Sequence, residues 1–143
     1  MEIIRFQSHH YEATARIYFE SRVATFSFMD TSGYSLTDFA KDTDGEEIWV
    51  AVEQGIIVGF ISIWKPENFI HHLFVCPNNL KRGIGFKLLS HAKELSNSLS
   101  LSLKSLVQNT NATDFYISQG FKIQETVDKG QESYHLMSFV AQT

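Results

Sequence analysis

The stretch that most constrains this chain is Phe69 to Phe86, which reads Phe-Ile-His-His-Leu-Phe-Val-Cys-Pro-Asn-Asn-Leu-Lys-Arg-Gly-Ile-Gly-Phe. Phe69 to Val75 has the aromatic and branched composition of a β-strand. Pro77 has no backbone N–H to donate, so the strand ends there. Gly83 and Gly85 permit a tight backbone path, and Ile84, Leu88, Ala92 and Leu95 then recur at helical spacing. The segment reads as strand, basic glycine turn and helix. The first-turn N–H groups of a helix have no partner within it and carry partial positive charge. Glycines let an anion approach that backbone, and Lys81 and Arg82 add two formal charges there. The turn is a candidate site for a phosphate or pyrophosphate; the alternative is a plain turn with solvated basic residues. Two other phosphate loops are excluded. No Gly-Lys-Ser/Thr follows four spacers, and Leu88 stands where a dinucleotide fingerprint needs its third glycine.

The rest of the chain fits around this unit. Glu2 to Phe6 reads as a first strand. Ser8 is placed to cap a helix running to about Val23, with Tyr11, Ala15 and Tyr18 on one face. Ser35 followed by Asp38 predicts a second, short helix over Leu36 to Lys41, and Asp42 to Glu47 reads as an acidic turn. Ile48 to Val52 and Ile56 to Trp64 are predicted strands joined by a hairpin turn at Gln54-Gly55. With the Phe69 strand they make an antiparallel meander. The helix from Gly83 to about Ser96 and a strand over Leu101 to Val107 form a crossover, so this strand runs parallel to the Phe69 strand. A helix over Asn109 to Gln119 stops at Gly120. Strands over Phe121 to Val127 and Ser133 to Ala141 complete the chain. The predicted class is α/β: a mixed, mostly antiparallel central sheet of about seven strands with one parallel pair and helices on both faces. Ligands in such sheets collect at the carboxyl ends of parallel strands, here between Val75 and Val107.

The 143 residues suit a single domain with one sizeable core. No apolar run reaches the roughly 18 residues needed to span a bilayer, and no basic-then-apolar segment opens the chain. Cys76 is the only cysteine, so no internal disulfide forms, and a cytoplasmic protein without a membrane partner is expected. Cys76 reads as a passive residue at a strand end. A net charge of −4 argues against nucleic acid as the main partner. His71 and His72 are neighbours on a strand and are expected to point to opposite faces, so they would not share a metal ion. No metal-ligand spacing involves His9, His10, His91 or His135, and no metal is expected.

Two blocks carry a resemblance. The first is Leu73-Phe-Val-x-Pro77, five spacers, then Gly83-Ile-Gly85. The second is Asn109-x-x-Ala112-x-x-Phe115-Tyr116-x-x-x-Gly120-Phe121. In this order, across this sequence of elements, the chain resembles the GNAT superfamily of acyl-CoA-dependent N-acetyltransferases over nearly its whole length. It departs at Leu80, where family members usually carry Gln or Arg, and at Lys81, where glycine is common. The resemblance implies a sheet splayed at its parallel pair, with acetyl-CoA as co-substrate. Its pyrophosphate would rest on the backbone of Lys81, Arg82, Gly83, Ile84, Gly85 and Phe86. Its pantetheine arm would run along Leu73, Phe74 and Val75 like an added strand, with Asn109 and Phe115 beside it.

Acetyl transfer to an amine needs a neutral amine, a donor to the oxyanion and a proton for the departing thiolate. By the same resemblance the N–H of Phe74 or Val75 supplies the donor and Tyr116 the proton, a phenol of pKa about 10 facing a thiol of about 8.5. His71, expected on the face of Leu73 and Val75, is the candidate to take the amine's proton; the rival reading is a structural histidine. Glu67 is a second candidate. Phe26, Phe28, Tyr34 and Trp64 are the expected lining of the cleft for a small-molecule or peptide amine, which aromatic faces would favour as a cation. The implied reaction is direct attack in a ternary complex. The alternative is an inactive acyl-CoA-binding sensor of the same fold. The last strands or an exposed sheet edge would serve a homodimer.

Overall fold

The computed structural model describes residues 1–79, 83–96 and 100–140. Its strands are β1 (Glu2–Arg5), β2 (Glu47–Glu53), β3 (Ile56–Trp64), β4 (Phe69–Val75), β5 (Leu101–Leu106), β6 (Lys122–Val127) and β7 (Tyr134–Phe139). Its helices are α1 (Tyr11–Thr25), α2 (Asp38–Asp42), α3 (Ile84–Ser96) and α4 (Thr110–Ser118). The strands form one sheet in the order β1-β2-β3-β4-β5-β7-β6. Every neighbouring pair is antiparallel except β4 and β5. This is the mixed sheet the sequence predicts.

Two helix boundaries move. Ser8 does not cap α1, because Ser8–His10 forms a separate 3₁₀ turn and the α-helix starts at Tyr11. The second helix begins at Asp38 rather than Leu36. Asp38 accepts the Ser35 N–H at 2.9 Å, while the Ser35 hydroxyl takes up the Thr37 N–H at 3.2 Å, so the turn before the helix is closed by side chains.

Helices cover both faces of the sheet. On one face α3 presents Ile84, Leu88, Leu89 and Ala92 to Ile61, Ile63, Ile70, Leu101, Leu103 and Met137. Each such large apolar side chain contributes about 1.5–3 kcal/mol on burial. Tyr116 of α4 and Phe121 join the same cluster. On the other face Ala15, Ile17 and Tyr18 of α1, with Phe39 of α2, pack on Ile48, Val50 and Phe60. The same face over β5, β6 and β7 is instead the floor of a cavity.

Two irregularities in β4 position the site. First, β4 and β5 are paired only at Phe69 with Ser102 and Ile70 with Leu103. Beyond that, β5 stays with β7 to Leu106 and β4 stays with β3 to Val75. The parallel strands part after Ile70 and leave one edge of β4 without a neighbouring strand. Second, β4 carries a bulge. Ser62 faces His72 while Ile63 faces Ile70, so His71 is the extra residue. The expectation that His71 and His72 point to opposite faces assumed unbroken alternation, and the bulge breaks it. Their rings stack at 4.0 Å with 28° between planes. His71 therefore leaves the face of Leu73 and Val75, which pack toward α3, and joins His72 on the α1 side, where His72 meets Tyr18 at 5.0 Å.

Candidate active site

The glycine turn opens α3 as expected. Gly83 has φ +79°, a left-handed conformation that suits glycine. Among the described residues the first helical bond runs from the Lys87 N–H to the Gly83 carbonyl at 3.1 Å, and the N–H groups of Ile84, Gly85 and Phe86 have no partner within α3. A Cβ on Gly85 would stand 3.6 Å from Phe115 and 3.8 Å from Val75, so the turn, β4 and α4 converge at this point. Leu80, Lys81 and Arg82 lie outside the described residues.

The free edge of β4 has a defined polarity. The Cys76 N–H donates to the Val58 carbonyl at 2.8 Å, and the Phe74 carbonyl oxygen lies 3.0 Å from where a Gly59 Cβ would stand. Phe74 and Cys76 thus direct their backbone groups toward β3. Successive residues of a strand alternate, so the N–H groups of Leu73 and Val75 point away from β3 to the gap, while the Val75 carbonyl accepts from the Ser21 hydroxyl at 3.1 Å. Of the two expected oxyanion donors, Phe74 turns away. Leu73, which was not expected in that role, is the gap-facing N–H closest to His71.

Phe115 of α4 reaches the turn end of the gap, 3.6 Å from where a Gly85 Cβ would stand. Asn109 caps α4 through its Oδ1, which accepts the Ala112 N–H at 3.3 Å. Phe115 and Phe121 flank Tyr116 at 5.4 and 5.8 Å. Tyr116 is 9% exposed, and burial pushes its phenol above the ordinary range, so it keeps its proton at any working pH.

A cavity of about 570 Å³ opens on the α1 side of the gap, lined by Glu46, Trp64, Glu67, Phe69, His71 and residues of β5 to β7. The His71 side chain is 46% exposed, and its Nδ1 contacts Oε2 of Glu46, whose side chain is only 5% exposed. His72 lies deeper. Burial, reinforced by the neighbouring His71, pushes it down to about 4, and its Nε2 contacts the Asp42 carbonyl at 3.3 Å. Ligand-type atoms of Glu46, His71 and His72 lie within 4.8 Å of one another, a grouping that the sequence reading excluded on the wrong premise of opposite faces. The stacking of the two rings keeps their nitrogens in nearly parallel planes.

The four aromatics expected around the acceptor do not come together. Trp64 lines the cavity. Phe26 packs on Phe74 and Phe28, at 6.3 and 6.2 Å. Tyr34 lies 4.2 Å from the Arg22 guanidinium and borders a second cavity with Lys129 and Gln131. Gln131 donates to the Phe28 carbonyl at 3.3 Å, which ties the loop after α1 to the β6–β7 connection. Glu46 is the site residue that sequence reasoning missed. It falls in the stretch read as an acidic turn, and only the β2–β3–β4 pairing carries it to His71.

The glycine turn, the free edge and the splayed pair all lie within or beside residues 44–123, which match the family model of the GNAT acetyltransferase domain. The chain belongs to the GNAT acetyltransferase family. It is 35% identical over 98 residues to the peptidyl-lysine N-acetyltransferase YiaC of Escherichia coli, a match covering 66% of this chain and 65% of that protein. It thus spans about two thirds of the length of this relative. It is also 31% identical over 149 residues to an uncharacterized N-acetyltransferase of Archaeoglobus fulgidus, covering 92% of this chain and all of that one. Among solved structures, the PaiA N-acetyltransferase of Thermoplasma acidophilum in complex with coenzyme A is similar with a TM-score of 0.82. That match spans 98% of both chains at 19% identity and places this GNAT chain in the same fold.

Proposed function

We propose that this protein is an acetyl-CoA-dependent N-acetyltransferase that acts on a primary amine by direct attack in a ternary complex. One observation carries the reading. Among the described residues, the gap between β4 and β5 has first-turn N–H groups without a helical partner at one end, the N–H groups of Leu73 and Val75 along one wall, and a cavity holding His71 at the other end. From His71 to Val75 this wall extends about 13 Å at the usual rise of a strand. An extended arm with amides pairs naturally with the N–H of Val75, its pyrophosphate rests on Ile84, Gly85 and Phe86, and its thioester reaches Leu73.

The chain's own residues then have distinct tasks. His71 takes the proton of the incoming ammonium. The Leu73 N–H holds the thioester carbonyl oxygen as charge develops on it. The amine nitrogen forms its bond to the carbonyl carbon as the C–S bond breaks, the second proton of that nitrogen passes to the departing sulfur, which leaves as the CoA thiol, and Tyr116 donates a hydrogen bond to that sulfur. Its raised pKa makes Tyr116 a firm hydrogen-bond donor rather than a ready source of free protons.

The kinship with a peptidyl-lysine N-acetyltransferase supports a lysine side chain as the acceptor class. The carboxylate of Glu67 beside Trp64 and Phe69 suits a cationic amine on an alkyl stem. The test is steady release of CoA from acetyl-CoA in the presence of a blocked lysine peptide, with the product identified by mass. Binding of CoA without turnover on lysine peptides or a panel of small amines would overturn the enzymatic reading in favour of a binding module.

A further inference from the structure

We infer that Glu46 is a positioning residue for this reaction: its buried carboxylate fixes His71 in the tautomer that leaves Nε2 bare to accept the amine's proton. The inference rests on the role proposed for His71. Its physical basis is the accounting of Glu46. The side chain is 5% exposed, Oε1 has no hydrogen-bond partner among the described residues, and Oε2 contacts Nδ1 of His71. A buried carboxylate is costly unless compensated, and among the described residues the imidazole is its hydrogen-bonding partner. An ionised carboxylate only accepts, so Nδ1 carries the hydrogen and Nε2 keeps the lone pair. Nε2 is on the other side of a half-exposed ring that lines the acceptor cavity.

The same contact serves the next moment of the reaction. Once Nε2 has taken a proton, the ring is a cation against a carboxylate, a charge-assisted pair. The groups around the ring are compatible with this. His72 is stacked on it and held neutral by burial, Phe69 lies at 6.2 Å, and Glu67 and Lys104 border the same cavity with opposite charges. The orphaned Oε1 leaves the compensation of this carboxylate to His71, so the pair works as one unit.

Two measurements on the full chain test this. The first is two-bond ¹H–¹⁵N NMR of the histidine rings near neutral pH, with His71 assigned by its loss in His71→Ala. The wild type should show the hydrogen on Nδ1 of His71, and Glu46→Gln should lose that preference. The second is kinetic. Glu46→Gln should lower kcat by at least about tenfold with KM for the amine unchanged, and should cost nothing further in a His71→Ala background. A wild-type ring protonated on Nε2, a kcat within twofold of wild type, or losses that simply multiply would each overturn the inference. If the wild type acetylates no amine, the functional reading has failed, and the NMR result alone decides Glu46.

Discussion

Gly59 offers a direct test of how the cofactor edge is built. It sits on β3 opposite Val75, under the first turn of α3. A methyl group there would stand 3.0 Å from the Phe74 carbonyl oxygen, 3.2 Å from Ile84 Cγ2 and 3.3 Å from Leu88 Cδ1. Ordinary carbon contacts lie at about 3.5–4.0 Å, so three neighbours must yield at once. None is free to do so. The first is backbone, and Ile84 and Leu88 are 1% and 0% exposed. Overpacking of this kind costs about 1–3 kcal/mol. Removing a glycine from a strand returns about 0.5–1 kcal/mol. With both terms near the middle of their ranges, Gly59→Ala should therefore destabilise by about 1 kcal/mol, read by urea unfolding with an unchanged slope, or as a fall in Tm of about 2–5 °C. The parts that shift are the α3 first turn and the Leu73–Val75 edge, so KM for acetyl-CoA should rise while KM for the amine holds. A variant as stable as wild type would refute the close packing of α3 on β3.

Three further outcomes follow from other parts of the site. Gly85→Ala meets only ordinary contacts, the nearest at 3.6 Å, and gains helix propensity worth up to about 1 kcal/mol, so it should be at least as stable as wild type. Calorimetry should nevertheless show weaker binding of CoA, and undiminished affinity would remove Gly85 from the phosphate cradle. Tyr116→Phe should lower kcat by at least about tenfold with KM for acetyl-CoA unchanged; turnover within twofold of wild type would take Tyr116 out of the mechanism. His72 is held at about 4 against its ordinary 6.5, so the unfolded chain takes up its proton first as pH falls. Its contribution is complete above pH 6.5 and is lost down to pH 4, at most about 3 kcal/mol, and His72→Gln should flatten that part of the stability curve.

The order of elements was legible because punctuation and periodicity agreed. Gln54 and Gly55 both have positive φ, 53° and 79°, which is what a tight hairpin between β2 and β3 needs. Gly120 at φ 94° ends α4 where its position in the sequence indicated. The bulge was not legible. Phe-Ile-His-His-Leu-Phe-Val reads as one unbroken strand, and the extra residue is decided by which β3 residues it meets, a long-range matter. The aromatics Phe26, Phe28 and Tyr34 were misplaced for a related reason. They lie on a loop whose path is set by Phe74, Arg22 and Gln131, each far away in sequence or recognisable only by its contacts.

The bulge also links the two halves of the proposed chemistry. Pairing of β4 with β5 ends at Ile70, and the extra residue is His71, the next one along. A bulge bends and twists its strand locally, so β4 leaves β5 at the place where the alternation of its side chains is broken. One inserted residue thus does two things together. It frees the edge on which Leu73 and Val75 present their N–H groups, and it swings His71 from the α3 face to the cavity where Glu46 waits. Removing His71 altogether, rather than changing its side chain, should restore alternation and draw the two strands together. The resulting chain would bind CoA poorly as well as lack the base, whereas His71→Ala should lose turnover and keep CoA affinity. The contrast between the deletion and the substitution separates the backbone role of this position from its side-chain role.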